Sequence, residues 1–421
     1  MTNASDLHGM CSVSRSEYRG WPTYALSNGL LKLFVFPDVG GRIIQLSFNG
    51  HECLYANPRL EGKVYPPEEN DFKTGWKNYG GSKVWPAPQG WSSDAEWPGL
   101  PDPVLDGGRY ACKVLENGPE AVSLQLTSPY DEYSGLVLER VVQLSRGAAS
   151  VAIVHTMRNC SARPVRWGIW QVTQQPAGAQ TQVFARATEF SQMFGDEPYT
   201  TVTLDSKKKI LRIRRADVVG KLAVHAKSGW LATLQGQSGM ALVETFRLFP
   251  GAEYPDGAPV EFWNNARGTF KIHGDRIDLR DKSVEVDSYI ETEILSPWTE
   301  LEPGQEYSFR IKWNCCAVDA DVIEDINFCA AVGDPLRVQP VREGLRVTGS
   351  FGLFHFGRLE LVTILRDGAV VEINPAGAAS PLDACRIDQT IPAQEGVGRV
   401  SLRLRDKEGR LLGTISHANI P

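Results

Sequence analysis

Residues 30–50 read LLKLFVFPDVGGRIIQLSFNG, and this stretch decides the fold class. Apolar residues recur with a period close to two through LLKLFVFP (30–37) and again through GRIIQLSFNG (41–50). This period is typical of strands, because successive side chains of a strand point to opposite faces of the sheet. Two such runs, joined by a short turn containing proline and glycine, predict an antiparallel β-hairpin.

The same period of two recurs along the chain. The further runs are AVSLQLTSP (121–129), LVLERVVQLS (136–145), SVAIVHTMRN (150–159), KILRIRR (209–215), YIETEILSP (289–297), YSFRIKWNCCAV (307–318) and GRLELVTILRDG (357–368). Turns rich in Gly, Pro, Asn and Asp separate them, and no segment has the 3.6-residue period of a long amphipathic helix. The sequence therefore predicts an all-β protein of mostly antiparallel strands.

Two long segments lack this alternation, at about 56–108 and about 250–270. Loops of more than roughly 15 residues are uncommon inside a compact domain and are usually functional or disordered. Both segments are rich in aromatic residues, which disordered tracts lack. We therefore expect two ordered loops packed against the sheet, and the first contains NYGGSKVWPAPQGW (78–91).

The spacing of the predicted strands changes near residue 318, which predicts a domain boundary there. Beyond it, about five short strands with simple turns follow, over a length that suits a small β-sandwich. The expected division is an N-terminal tail (1–20), a large β domain (21–318), a linker (319–334) and a C-terminal β-sandwich-like domain (335–421).

Composition excludes several classes of function. The 44 basic and 50 acidic residues give a net charge of −6 without a long run of either sign, so no nucleic-acid partner is expected. No stretch of 18 apolar residues predicts a membrane span, and the N-terminus lacks the apolar segment of a secretory signal. The 8 scattered cysteines form no metal-binding pattern, which predicts buried, reduced thiols, no metal and a cytoplasmic location unless a signal peptide has been removed. No cofactor motif is present, and no cofactor is expected.

Four stretches resemble galactose mutarotase-like (aldose 1-epimerase-like) proteins. They are FVFPDVGGRIIQLSFNGHECLYAN, GGSKVWPAPQG, MRNCSARPVRWGIWQVTQ and YIETEILSPWTELEPGQEYSFRIKW. They are similar to that group's opening strand pair, its GG-x-x-x-WP-x-x-G segment, its N-x-S/T-x-x-P strand pair and its terminal E…L-x-PGE strand pair. The chain most resembles a group marked by NYGG-x-K-x-WPAPQ and DPVLDGG. The resemblance covers about residues 20–318 and implies a β-supersandwich.

The resemblance also implies acid–base chemistry at the anomeric carbon of a sugar, with a glutamate as base and a histidine as acid. Its terminal motif offers Glu291 and Glu293 as the base, and their spacing places both on one face of a strand. Neither family histidine has a counterpart, since GIWQ (168–171) and LPDPVLDGGRY occupy the two places. Lys83 and Asp106 are the expected replacements for the acid. The alternative for each is a salt bridge or turn hydrogen bond that anchors the loop.

Aromatic rings beside hydrogen-bonding groups indicate sugar binding, because a sugar ring packs its C–H face on Trp or Tyr while its hydroxyls need polar partners. Core packing is the alternative for each tryptophan, and pairing with an acid is the alternative for Arg42. The candidate substrate-binding residues are Arg42, Tyr79, Trp85, Asp102, Arg109, Trp170, Gln171, Gln174, Trp263 and Asn264.

Together these patterns predict a carbohydrate-active protein that binds a sugar or an oligosaccharide, with aldose 1-epimerase-like activity if it is an enzyme. One alternative is a non-catalytic carbohydrate-binding protein whose C-terminal domain mediates assembly or a second contact. Another is a glycoside-cleaving enzyme on the same scaffold, because pairs of carboxylates are available. The oligomeric state is left open.

Overall fold

A computed structural model of the chain describes residues 9–69, 76–90, 96–99, 102–236, 238–272, 275–280 and 285–420. Strands dominate the described residues. In chain order they are β1 (Ser12–Tyr18), β2 (Trp21–Ser27), β3 (Leu31–Phe36), β4 (Arg42–Phe48), β5 (His51–Glu52), β6 (Ser82–Ala87), β7 (Ala111–Asn117), β8 (Ala121–Thr127), β9 (Leu136–Ser145), β10 (Ser150–Asn159), β11 (Val165–Pro176), β12 (Thr181–Phe194), β13 (Val202–Asp205), β14 (Ile210–Arg214), β15 (Gly220–Gln235), β16 (Met240–Phe246), β17 (Val260–Asn265), β18 (Thr269–Ile272), β19 (Asp275–Asp278), β20 (Tyr289–Leu295), β21 (Thr299–Leu301), β22 (Glu306–Ala317), β23 (Asp325–Ile326), β24 (Ala330–Val341), β25 (Gly344–Leu353), β26 (Gly357–Leu365), β27 (Val370–Ala379), β28 (Cys385–Ile391), β29 (Val397–Arg405) and β30 (Leu411–Asn419).

The helices found in the described residues are short 3-10 turns, at Pro58–Leu60, Pro67–Glu69 and Pro255–Gly257. None of them has the length and apolar character needed to span a bilayer. The prediction of an all-β protein is confirmed, and all nine runs that the period of two marks as strands contain a strand of the structure. The pairs between these strands are antiparallel, as predicted.

The pairings from β1 to β22 build two layers. The first layer runs β1–β2–β3–β4–β6–β11–β20–β17–β15, and the second runs β7–β8–β9–β10–β22–β16–β15. The long strand β15 belongs to both, because its first half pairs with β17 and its second half with β16. Its neighbour β12 shifts register at Ala185/Ala187 and Ala187/Phe190. Such bulges bend a strand and allow it to pass from one layer to the next.

The core lies between these layers. In β9 and β10 buried and half-buried residues alternate almost without a break, so each strand turns one row of apolar side chains inward. Leu33 and Ile294 of the first layer share a hydrophobic cluster with Val142 and Ile311 of the second. Each fully buried side chain of this type stabilises the fold by roughly 1.5–3 kcal/mol.

The C-terminal part is a second, smaller sandwich. One sheet has the order β23–β24–β25–β28 and the other β27–β26–β29–β30, and a separate hydrophobic cluster fills the space between them. The division at residues 318–335 stays a prediction. The ranges predicted as tail and linker contain strands: β1 lies in the predicted tail (1–20), and β23 and the start of β24 lie in the predicted linker (319–334).

The two segments predicted as long loops contain strands, which corrects the prediction. β6 lies inside 56–108, and β17 lies inside 250–270. Pro86 obscured the first, because proline is rare inside strands. It is tolerated here because β6 pairs along its length with β11, whereas its other side meets β4 only at Ser82. The loop motif therefore includes a buried strand of the first layer.

The cysteines are free thiols, and the prediction that they are buried holds for Cys11, Cys315, Cys316 and Cys329 but is wrong for Cys160, which is exposed. Cys315 and Cys316 adjoin in β22, so their side chains point to opposite faces. Cys315 joins the cluster between the layers, and Cys316 joins a cluster that contains Ile323 and Phe354 of the C-terminal part.

Candidate functional site

Four strands of the first layer, β6, β11, β20 and β17, bring half of the predicted site residues onto one surface, and β15 adds Lys221 to it. Trp170 lies opposite Trp85, and Glu291 lies opposite both Gln174 and Trp263. Residues paired in register project from the same side of a sheet. We call this side, which faces away from the second layer, the site face; its polar and aromatic members are Lys83, Trp85, Trp170, Gln174, Lys221, Glu261, Trp263, Glu291 and Glu293.

A glycine pair fixes the start of β6. Gly80 and Gly81 have φ of 93° and 75°. A Cβ on either would lie 2.2 Å from the carbonyl oxygen of Tyr55 or 2.4 Å from that of Ile43. Only glycine tolerates both the conformation and the close approach. The glycines of the NYGG motif therefore let the chain approach β4 closely enough for β6, with Lys83, to join the sheet.

Lys83 and Glu291 form the centre of the site face. Lys83 is 1% exposed, and its Nζ lies 3.9 Å from Oε1 of Glu291. The same Nζ lies 4.9 Å from the ring centroid of Trp76 and 4.5 Å from that of Trp85. It has no hydrogen-bond partner among the described residues. Gln174 fixes the carboxylate by donating from Nε2 to Oε1 of Glu291 at 2.6 Å.

This pair has pKa values shifted toward neutrality. Burial lowers the pKa of Lys83 to about 8, although the carboxylates of Glu291 and Asp106 raise it. Burial raises the pKa of Glu291 to about 7; the Lys83 ammonium lowers it, and the carboxylate of Glu293 raises it. A group whose pKa lies near the working pH can both give and take a proton. The pair is therefore suited to acid–base chemistry.

A second ionic cluster lies beside the first. Nζ of Lys221 is 2.6 Å from Oε2 of Glu261 and 3.1 Å from Oε2 of Glu293. The indole of Trp170 donates to Oε2 of Glu293 at 2.8 Å, and Lys221 lies 4.5 Å from its ring centroid. Burial alone would lower the pKa of Lys221, but the two carboxylates outweigh it and raise that pKa. Burial raises the pKa of Glu261 well above its usual range despite the ammonium.

Arg42 and Asp106 anchor the loop beside the site. Arg42 is fully buried and donates to the carbonyl oxygens of Val39, Gly80 and Asp106 at 3.0 Å, and to Oδ1 of Asp106 at 2.5 Å. The indole of Trp76 donates to Oδ2 of Asp106 at 2.7 Å. These contacts match the alternatives given for the two residues: Arg42 pairs with an acid, and Asp106 forms a salt bridge that anchors the loop. Asp106 acts on Lys83 through its charge.

Four other predicted residues direct their polar groups elsewhere. Oδ1 of Asp102 accepts backbone N–H groups of residues 104–106, and burial raises the pKa of this carboxyl to about 6. The hydroxyl of Tyr79 accepts from the N–H of Tyr65. Asn264 is fully buried and donates to two backbone carbonyl groups. Arg109 is 81% exposed and pairs with Asp38 at 3.0 Å.

The tryptophans differ in accessibility. Trp85 is buried between Trp97 and Trp170, with ring centroids 5.4 and 5.3 Å away. The contacts of Trp85 and Trp170 are therefore those expected of core packing, the alternative to sugar binding for each tryptophan. Trp263 and Trp76 are half-buried instead, and Trp263 stands next to Glu291 across the strand pair. The accessible aromatic surface therefore lies on the side of Glu291.

Gln171 lies on the opposite face of β11 and points into the core. Its Nε2 donates to Oε1 of Glu244 at 3.2 Å, and its Oε1 lies 2.7 Å from Nε2 of His155. Glu244 also accepts from the hydroxyl of Thr173 at 2.9 Å and the indole of Trp313 at 3.0 Å.

The hydroxyl of Thr292 supplies a fourth donor to Glu244. Burial raises the pKa of Glu244 to about 7, although these hydrogen bonds lower it. Burial also lowers the pKa of His155 to about 3, so this histidine is neutral near pH 7. We call this group, formed by His155, Gln171, Thr173, Glu244, Thr292 and Trp313, the core network.

Sequence reasoning missed several charged groups in and behind the site. Glu261 and Trp263 alternate as Glu291 and Glu293 do, so spacing could have placed Glu261 on the site face. Lys221 and Glu244 gave no such signal, because their partners lie on strands distant in the sequence.

The profile of a family described as "Domain of unknown function (DUF4380)" matches residues 23–316, which is well over half of the chain. The chain belongs to the DUF4380 family. The matched region contains the whole site face and all strands of the two layers except β1, the first residues of β2 and the last residue of β22. No curated protein matches the chain.

Several solved structures resemble this DUF4380 protein. A TPR-domain containing protein from Parabacteroides distasonis is 16% identical, with a TM-score of 0.49 over 77% of this chain and 51% of that one, so the chain spans about half its length. A galactose mutarotase-like protein from Clostridium acetobutylicum is 11% identical, with a TM-score of 0.46 over 73% and 98% of the two chains. A galactose mutarotase related enzyme from Lactobacillus acidophilus is 12% identical, with a TM-score of 0.43 over 69% and 96%. The structures include members of the group that the sequence resembles.

Proposed function

We propose that this protein binds a sugar at the site face and interconverts its anomers, with Glu291 as the general base and Lys83 as the general acid. The observation that carries the proposal is the Lys83–Glu291 pair, whose charged atoms lie 3.9 Å apart on side chains that are 1% and 12% exposed. Their pKa values, about 8 and about 7, differ in the order that an acid and a base require.

The proposed reaction opens and recloses the sugar ring. The carboxylate of Glu291 takes the proton from the anomeric hydroxyl, and the Lys83 ammonium gives a proton to the ring oxygen. The bond between the anomeric carbon and the ring oxygen breaks, and the anomeric C–O bond becomes a carbonyl. Rotation about the adjacent C–C bond and reversal of both proton transfers give the other anomer. Lysine thereby performs the role for which the sequence offers no histidine.

Unused polar atoms near the pair support ligand binding. Nζ of Lys83, Nε1 of Trp85 and Oε1 of Gln174 are buried and have no partner among the described residues. Leaving such groups unpaired costs about 1–3 kcal/mol each, so a ligand that supplies partners gains affinity. The half-buried rings of Trp76 and Trp263 offer apolar contact beside them. A sugar presents both kinds of surface.

A non-catalytic sugar-binding protein is the second candidate. It is favoured by the near burial of Trp85 and Trp170, whose packing suits a rigid framework more than a site that exchanges substrate. In that case Lys83 and Glu291 would bind hydroxyl groups without exchanging protons.

Saturation-transfer NMR with glucose, galactose, mannose and their 6-phosphates separates the two candidates. Exchange spectroscopy in the same tubes measures anomer interconversion. We expect at least one sugar to bind and its anomer exchange to accelerate, with the acceleration lost in E291Q and K83M. E300Q, which alters a glutamate that is 85% exposed, is the matched control. Binding without faster exchange would rule out the epimerase and leave the binding protein; no binding at all would reject both.

A further inference from the structure

A cavity lies on the side of the molecule opposite the site face, on the outer face of the second layer. Its volume is about 300 Å³, and it forms where β15, β16 and β22 meet residues 326–328. Trp230 lies opposite Thr245, and Thr245 lies opposite Lys312, so the three side chains share a face. The adjacent Glu244 and Trp313 point to the other face, into the core network. The cavity is therefore separated from the site face by both layers.

Among the residues that the structure describes, Lys312 is the only charged side chain that lines this cavity. It is half-buried and forms no ion pair within the part of the chain that the structure describes. Its contact is with an aromatic ring, since Nζ lies 4.9 Å from the ring centroid of Phe328. Burial lowers the pKa of Lys312. A desolvated ammonium with no facing carboxylate attracts an anion.

The remaining walls combine an apolar surface with hydrogen-bond donors. Phe328 is 62% exposed, and His355 stacks on it with ring centroids 5.4 Å apart. Trp230 is 3% exposed, and its Nε1 has no hydrogen-bond partner among the described residues. Asn314 accepts from the hydroxyl of Ser150 through Oδ1, which leaves its Nδ2 for a ligand. Buried donors without acceptors raise the free energy of the empty site.

We propose that this cavity binds a small anionic ligand about the size of one sugar ring, a sugar acid or a sugar phosphate. The anionic group pairs with Nζ of Lys312, the carbon skeleton packs against Phe328, and the donors of Trp230 and Asn314 meet ligand oxygens. The volume is at the lower end of the range for small-molecule sites, about 300–1,000 Å³, which suits one ring better than a longer chain. This site does not depend on the function proposed for Lys83 and Glu291.

Isothermal titration calorimetry on the full chain tests the proposal. The probes are glucuronate and galacturonate for the carboxylate, glucose 6-phosphate for the phosphate, and glucose and inorganic phosphate as the separate halves of the ligand. We expect one anionic sugar to bind at least tenfold more tightly than either half. The identity of that sugar distinguishes the carboxylate from the phosphate.

Two substitutions locate the ligand. K312M keeps the aliphatic stem and removes the charge, and we expect it to weaken binding by about tenfold or more, the effect of losing a hydrogen bond to a charged group. F328L keeps an apolar side chain and removes the ring, and we expect a weakening of about threefold to tenfold. K113M changes an exposed lysine of β7 and serves as the control. Circular dichroism melting curves verify that each variant folds.

Several outcomes would overturn the proposal. The first is the absence of binding by any anionic sugar to the wild-type protein. The second is binding that K312M leaves unchanged but E291Q abolishes, because the ligand would then occupy the site face. The third is equal binding of inorganic phosphate and glucose 6-phosphate with no effect of F328L, because the cavity would then recognise no ring.

Discussion

Strands β11 and β20 have a glutamate on each side of the sheet, and the two glutamates differ in how many hydrogen bonds they accept. Opposite the inward face, Glu244 of β16 accepts hydrogen bonds from four donors of the core network. On the site face, Glu291 accepts one strong hydrogen bond from Gln174 and lies 3.9 Å from an ammonium that has no hydrogen-bond partner among the described residues. Both carboxyl groups have pKa values near 7, because burial raises each.

The difference shows why a shifted pKa alone does not identify a functional group. A carboxyl group whose acceptor sites are filled by protein donors has no room for a ligand, so Glu244 stabilises the junction of the two layers. Glu291 is 12% exposed and borders unpaired donors, so it can still acquire a partner. Hydrogen-bond saturation, more than the pKa, separates a structural carboxylate from a candidate catalytic one.

The largest expected effect is on the core network. E244A removes the acceptor shared by Gln171, Thr173, Thr292 and Trp313, and should lower the free energy of unfolding by about 4 kcal/mol or more, since each unpaired buried donor costs about 1–3 kcal/mol. Urea denaturation measures the change. E300A, at an 85% exposed glutamate, should change it by less than about 0.5 kcal/mol. A loss below about 1 kcal/mol in E244A would contradict the structural role.

E291Q should show the opposite pattern, with a large loss of activity and little loss of stability. Glutamine keeps the oxygen that accepts from Gln174 but cannot act as a base. Anomer exchange should slow by about 100-fold or more, a typical effect of losing general base catalysis. Its free energy of unfolding should stay within about 1 kcal/mol of the wild type. If E291Q unfolded as readily as E244A, the two carboxylates would share one structural role.

The pH dependence of anomer exchange should distinguish the two members of the site-face pair. Activity requires ionised Glu291 and protonated Lys83, so it should rise as pH increases through about 7 and fall as pH increases through about 8. The two apparent values belong to the pair as a whole. Rates are corrected for the uncatalysed reaction at each pH. K83M should lose the acceleration at every pH, and a profile in K83M that still rises near pH 7 and falls near pH 8 would remove Lys83 from the acid role.

The strands were predictable because their signal is local. The period of two in residues 30–50 reports the burial of alternate side chains, and the structure forms β3 and β4 there. The site face was predictable in part for the same reason: Glu291 and Glu293 are two residues apart and lie on one side of β20.

Contacts between distant strands were not predictable. Gln171 was grouped with Trp170 and Gln174, although an odd spacing along a strand sends it to the other face. Arg42 meets Asp106 across 64 positions, and Lys221 meets Glu293 across strands whose order the sequence does not state. Pairing of distant segments depends on the whole fold, which no local pattern contains.

W170F tests a smaller contribution on the site face. It keeps an aromatic ring and removes the donor to Oε2 of Glu293, while Lys221 remains beside that carboxylate. The free energy of unfolding should fall by about 2 kcal/mol, the usual range for a hydrogen bond to a charged group. W298F, at a half-buried tryptophan, is the control and should cost less. An equal loss in both would indicate that ring volume, and not the hydrogen bond, accounts for the effect.

The smallest effect is expected at Arg109. Its side chain is 81% exposed and pairs with Asp38 on the surface, so R109A should change the free energy of unfolding by less than about 0.5 kcal/mol. Sugar binding and anomer exchange should also stay at the wild-type level, because the guanidinium pairs away from the Lys83–Glu291 centre. NMR titration and exchange spectroscopy of R109A, with E291Q measured in parallel, check sugar binding and anomer exchange. A tenfold loss of affinity in R109A would mean that bound sugar reaches the loop surface, and the site would then extend well beyond the strands of the site face.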